Sequence, residues 1–124
     1  MAYHVELPDG IIRIGKSETL YRILRTYRDY LVVVMLYRPF CEKCQLFTPI
    51  LEQVREMYKE DVLFLKADLD VLSDMEDQFR VRRTPTVLFF FREKLRQGWA
   101  GVMEMMHLRD TIDALLSSIK HESY

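Results

Sequence analysis

Three predominantly apolar, β-rich runs constrain this chain more than any other feature: Leu31–Tyr37, Val62–Ala67 and Thr86–Phe91. Each has the length of a strand, and none shows the alternation of a half-exposed one, so the pattern predicts strands buried on both faces. Such strands need helices on both sides of their sheet. The intervening sequence supplies them. Ser17 can cap a helix carrying Leu20, Ile23, Leu24 and Tyr27 on one face. From Glu42 to Tyr58, the residues Leu46, Ile50, Val54 and Met57 repeat at helical spacing, with Pro49 expected to kink the helix. Leu72, Met75 and Phe79 mark a short helix, and Leu108, Ile112, Leu115, Leu116 and Ile119 form the stripe of a last one. Ile11–Ile14 follows the turn signal Pro8-Asp9-Gly10 and reads as a short strand, while Leu95–Ala100 reads as the hairpin partner of the third run. The turn at Arg92–Lys94 holds no glycine, which leaves its type open. The order of elements is βαβαβαββα: an α/β chain, parallel in its first half, with a closing hairpin that makes the sheet mixed.

A length of 124 residues fits one domain spanning residues 1–124. Lys plus Arg is 18 and Asp plus Glu is 19, a balance that excludes a general nucleic-acid binder. No apolar run approaches the ~20 residues of a membrane-spanning helix. The first ten residues lack a basic stretch followed by an apolar one, so a cytoplasmic location is expected. The Tyr21, Arg22, Arg25, Tyr27, Arg28 and Tyr30 cluster reads as a solvated helix face. Trp99 is expected to face the core, Met103, Met105 and Met106 to pack at a helix start, and the polar tail Lys120–Tyr124 to fray.

The chemistry centres on Cys41-Glu42-Lys43-Cys44, which follows a buried strand and opens a helix. These are the only two cysteines. A bridge across so short a loop stabilises little, so a structural staple is not the natural reading. A helix N-terminus favours an anion, which should lower the thiol pKa of Cys41 and make it the nucleophile. Cys44, one turn on, can then attack a mixed disulfide on Cys41. Two other readings compete. A zinc site needs four ligands, and His4, His107 and His121 are remote in sequence. An inert pair would fit a binding module. Arg38, Lys43, Arg82 and Arg83 lie near the loops that flank the cysteines and could select acidic partners, or could simply be solvated.

At these residues the chain resembles the thioredoxin family, from about Ile11 to Leu116. The likeness rests on Phe40-Cys41-Glu42-Lys43-Cys44, on Pro49 five residues later, and on the strand ending Val62-Leu63-Phe64-Leu65-Lys66-Ala67-Asp68. Thr84-Pro85-Thr86 and Gly101 complete it. The resemblance implies the thioredoxin fold, a cis Thr84–Pro85 bond and an apolar substrate groove of Pro39, Phe40, Thr84, Pro85, Gly101 and Val102, with Lys66 as the family's semi-buried lysine. It implies a protein disulfide reductase that works through a Cys41–Cys44 dithiol–disulfide cycle and needs no metal and no bound cofactor. The implied partners are disulfide-containing proteins and a thioredoxin reductase or other thiol donor, met by a monomer. Three positions depart from the family's pattern. Met35 stands where a buried Asp usually assists the resolving thiol, Glu42-Lys43 replaces Gly-Pro, and Phe40 replaces tryptophan. Met35 and the Glu-Lys pair sustain a second reading, a binding module that docks partners in the same groove with weak redox activity.

Overall fold

The structure is a computed structural model that describes residues 7–122. His4, most of the N-terminal stretch on which the cytoplasmic expectation rests, and Ser123 and Tyr124 of the tail lie outside the described residues.

The three apolar runs become the inner strands of a five-stranded sheet of order β1-β3-β2-β4-β5. The elements are β1 Ile12–Ile14, α1 Ser17–Thr26, β2 Leu31–Tyr37, α2 Glu42–Tyr58, β3 Val62–Asp68, α3 Ser73–Gln78, β4 Thr86–Phe91, β5 Lys94–Ala100 and α4 Met105–Lys120. β1 and β2 run parallel to β3, β4 runs antiparallel to β2, and β5 antiparallel to β4. This is the thioredoxin fold.

Both faces of the sheet are covered, and the strand pleat divides the core in two. Val33, Met35, Phe64, Val87 and Phe89 pack with Phe47 and Leu51 of α2 and Leu108 and Ile112 of α4. Their neighbours Val32, Val34, Leu63, Leu65, Leu88 and Phe90 point the other way, onto Leu20 and Leu24 of α1 and Met75 of α3. Each such side chain contributes roughly 1.5–3 kcal/mol on burial. That is why the continuous runs, rather than local propensity, decide the architecture.

Several local expectations are corrected. On α2 the buried residues are Cys44, Phe47, Leu51 and Val54, while Leu46 is 66% and Met57 51% exposed. Two stripes of helical spacing overlap in this segment and share Val54. The inner one, with Phe47 and Leu51, packs against the sheet and α4. Lys16, not Ser17, is the N-cap of α1, and it makes no side-chain cap bond. The Ser17 hydroxyl instead donates to Asp74 at 2.8 Å, tying α1 to α3. Trp99 is 39% exposed because β5 is an outer strand with only partial cover. Its ring meets His107 of α4 edge-on at 4.4 Å. Met103 is buried as expected, whereas Met106 is exposed. The tail is held as far as Glu122, which accepts from Arg96 at 2.8 and 2.9 Å. The glycine-free hairpin turn places Arg92 (φ 51°) and Glu93 (φ 66°) both in the left-handed region, as a two-residue turn of the I′ kind requires. Arg92 offsets that cost by donating its N–H to Arg28 O at 3.1 Å and its Nη1 to Glu122 O at 3.1 Å.

Candidate functional site

The site forms where β2 ends and the chain turns through Arg38, Pro39 and Phe40 into α2. Cys41 takes an extended conformation (φ −118°, ψ 110°) as the N-cap of α2, and its sulfur accepts the Cys44 N–H at 3.1 Å. The sulfur thus occupies the position usually held by a capping oxygen, among free N–H groups that favour negative charge. Cys41 and Cys44 are joined as a disulfide, with their Cα atoms 5.2 Å apart. The two sulfurs differ in access. Cys41 is half-buried, while Cys44 is 3% exposed and belongs to the core beneath α2.

A second loop, just before β4, closes over the pair. Its Thr84–Pro85 peptide is cis. The Thr84 hydroxyl lies 3.3 Å from Cys41 Sγ, placed to donate to it. The Thr84 carbonyl oxygen lies 3.6 Å from the same sulfur and can be a partner only for a protonated thiol. The Gly101 N–H donates to Pro85 O at 2.8 Å, which fixes this loop to the end of β5. Gly101 has φ +108°, a conformation that a side chain would disfavour. Pro85 is buried, Gly101 and Val102 are half-buried, and Pro39 and Lys43 are exposed. Phe40 is 100% exposed. Of the residues expected to line a groove, Thr84 meets Cys41 Sγ and Gly101 is bonded to Pro85 of the same loop.

Two expected helpers lie deeper. Lys66 on β3 is the register partner of Met35 on β2. With Thr48, Glu52 and Arg55 of α2 these two line a cavity of about 300 Å³. Met35 itself is 2% exposed and packs in the core. Pro49 lies within α2, which runs unbroken from Glu42 to Tyr58. The neighbouring Thr48 hydroxyl donates to Cys44 O at 2.9 Å. Arg38 is engaged by Asp70 at 2.6 Å and by Glu76. Sequence reasoning missed the Thr84 hydroxyl as a sulfur partner, and it missed Thr48 and Glu52 as lining residues. The first was signalled by a hydroxyl-bearing residue next to Pro85. The other two follow Cys44 at intervals of four, a helical spacing.

Two titrating groups elsewhere are shifted. The Arg55 guanidinium, bonded to Asp9 at 2.8 Å, holds that carboxyl below its usual range. Burial, reinforced by a 2.5 Å bond to Asp113, pushes the Tyr58 phenol up. Among the described residues no group of His, Cys, Asp and Glu could hold a metal ion. No helix is long and apolar enough to cross a membrane.

Comparison with known proteins places these features in a wider set. The family model described as Thioredoxin matches residues 16–114. The thioredoxin of Mycoplasmoides gallisepticum is 31% identical over 81 residues, covering 65% of this chain and 80% of that protein. The chloroplastic M-type thioredoxin of Spinacia oleracea is 28% identical over 86 residues, or 69% of this chain; the match spans 48% of that longer protein. In structure, Fasciola hepatica thioredoxin superposes with a TM-score of 0.78 at 23% identity, covering 84% of this chain and 98% of that one.

Proposed function

This chain belongs to the thioredoxin family, and from that premise we propose that it is a thiol–disulfide oxidoreductase that reduces protein disulfides through Cys41 and Cys44. The Cys41 thiolate attacks one sulfur of a partner's disulfide. The partner's other sulfur leaves as a thiolate, which takes a proton, and a mixed disulfide remains on Cys41. Cys44, once deprotonated, attacks the Cys41 sulfur and releases the partner's second thiol. The protein is left with the Cys41–Cys44 disulfide, and two electrons from a thioredoxin reductase or another dithiol protein restore it.

The observation that carries this reading is the environment of Cys41 Sγ. It sits half-exposed at a helix N-terminus, with the Cys44 N–H at 3.1 Å and the Thr84 hydroxyl at 3.3 Å. All three features favour the thiolate over the thiol. Phe40, Thr84, Pro85, Gly101 and Val102, with Pro39, form the surface against which the partner's chain lies. Thr84 offers it backbone groups as an added strand would. Lys43 adds positive charge beside the thiolate, Lys66 adds it beneath α2, and Pro49 shapes the helix that carries both sulfurs. The working unit is a single domain acting as a monomer in the cytoplasm, with no cofactor beyond its own disulfide.

Met35 favours the second reading. An apolar side chain stands at the position where the family usually holds a buried Asp, so position 35 itself cannot take the Cys44 proton, and a module that binds more than it turns over fits this arrangement.

Equilibration with a glutathione ladder, read by alkylation and mass, separates the two. A reversible two-electron transition at reducing poise is expected for the oxidoreductase. A pair that never cycles would leave the binding module. Cys44→Ser should accumulate mixed disulfides with partner proteins; full turnover in that variant would refute the two-thiol mechanism.

A further inference from the structure

A groove leads away from the cysteine pair on the α3 side of the sheet. Its near end is a notch of about 210 Å³ bounded by Arg38, Glu76, Val81, Arg82, Arg83 and Thr84. Beyond it opens a cleft of about 580 Å³ between the 80–83 segment and the outer strand β5. Val81, Arg82 and Arg83 border both, and the notch also borders Thr84, whose hydroxyl lies 3.3 Å from Cys41 Sγ.

The chemistry along the path is uneven. Arg38 is already neutralised by Asp70 and Glu76. Arg80, Arg82 and Arg83 are exposed, and none has a carboxylate partner among the described residues. The opposite wall carries Leu95, 47% exposed, and Ala100, while the Trp99 ring at its margin turns to His107 of α4. Between the walls, Gly98 keeps the floor open: a Cβ there would sit 3.4 Å from the Leu88 side chain. Among the described residues β5 ends the sheet, and its outer edge has no strand partner. A free strand edge accepts an extended chain, and unpaired guanidinium groups recognise carboxylates.

We infer that this cleft docks an acidic, extended segment flanking the disulfide of the partner protein, and that Arg82 and Arg83 set the preference among partners. The inference rests on the oxidoreductase reading for the arrival of a disulfide, but docking itself needs no redox step. Alternating acidic and apolar residues suit the two walls. Leu88 and Leu95 in the cleft, facing the arginines, favour a polypeptide over a nucleic acid as the occupant.

Trp99 is the only tryptophan, and it borders the cleft. Its emission can therefore report binding to the oxidised full chain without any turnover. The probes are two cysteine-free peptides, one alternating Glu and Leu, the other Gln and Leu. The Glu peptide is expected to bind saturably and roughly ten-fold tighter than the Gln peptide, with a margin that shrinks as salt rises. R82Q/R83Q should erase the margin, and R82K/R83K should retain its salt-dependent part. Equal affinity for the two peptides, an unchanged margin in R82Q/R83Q, or equal competition by heparin would overturn the inference. The same peptides extended by a disulfide loop separate the two claims. Discrimination in binding with neither loop reduced defeats the oxidoreductase reading and leaves the docking site. Reduction of both loops at one rate, with no discrimination in binding, does the reverse.

Discussion

The two ends of the central sheet spend the same residue types on opposite purposes. At the end where β4 finishes, Arg92 and Arg96 flank the Phe91 ring, each about 5.4 Å from its centroid, and both bond to Glu122 beyond α4. At the end where β2 finishes, Arg82 and Arg83 point into a cleft without a partner carboxylate, and Phe40 stands fully in solvent. β4 alone, six residues long, separates the two ends by about 20 Å. One end uses charge and aromatic surface to hold the chain's own terminus. The other leaves the same groups free, and in a folded domain such uncommitted groups are most economically explained by a partner.

If the division is real, substitutions at the two ends must separate activity from stability. The largest effect belongs to the sulfur. Cys41→Ser should lower disulfide reduction by about a thousand-fold or more, since the remaining thiol, Cys44, is 3% exposed and out of a partner's reach, while thermal unfolding of the reduced protein barely moves. A large fall in melting temperature would break the comparison by giving Cys41 a structural role. Next comes Thr84→Val, which keeps the shape and removes the hydroxyl on Cys41 Sγ. Alkylation of Cys41 at neutral pH should slow by roughly three- to ten-fold, matching the net loss of one ordinary hydrogen bond. An unchanged rate would mean that the helix terminus alone activates the sulfur. At the far end, Arg96→Ala should cost about 0.5–1 kcal/mol in urea unfolding, because its pair with Glu122 is partly exposed. Reduction of a peptide disulfide should be unaffected; a drop would show that the ends are coupled. The smallest effect is at Asp9. Its pKa is depressed by Arg55, so whatever the pair contributes is present above the ordinary Asp range and is lost as pH falls through the lowered value. Asp9→Asn should match the parent protein in strong acid and differ only slightly at neutral pH, because Asp9 is almost fully exposed.

What could be read in the sequence follows the same division. The inner strands were legible because six of the seven residues of β2 and all of β4 are buried, and burial on both faces writes itself as a continuous apolar run. The Cys41-x-x-Cys44 junction was legible because its meaning depends on local order, a strand before and a helix after. The phase of α2 was not. Leu46, Ile50, Val54 and Met57 are as helically spaced as Cys44, Phe47, Leu51 and Val54, and packing against strands and a helix distant in sequence decides between them. Trp99 was misplaced for a related reason. Strand alternation assigns a face, but whether anything covers that face is set by helices distant in sequence. The fixing of Glu122 by Arg96 was likewise invisible, since 26 residues separate them. Within the site, the convergence of Thr84 on Cys41 crosses 43 positions, and only the family resemblance brought the two loops together.

The unequal access of the two sulfurs has a consequence for timing. A partner meets the half-exposed Cys41 at a rate that depends on its own concentration and shape. Once joined there, it is released by Cys44, a neighbour held within the same helical turn and 3% exposed. That release is unimolecular, and a tethered group of this kind acts as though present at an effective concentration far above any free thiol. Arrival is therefore selective while departure is uniform. The protein works like a turnstile, whose queue differs from partner to partner but whose dwell time is its own.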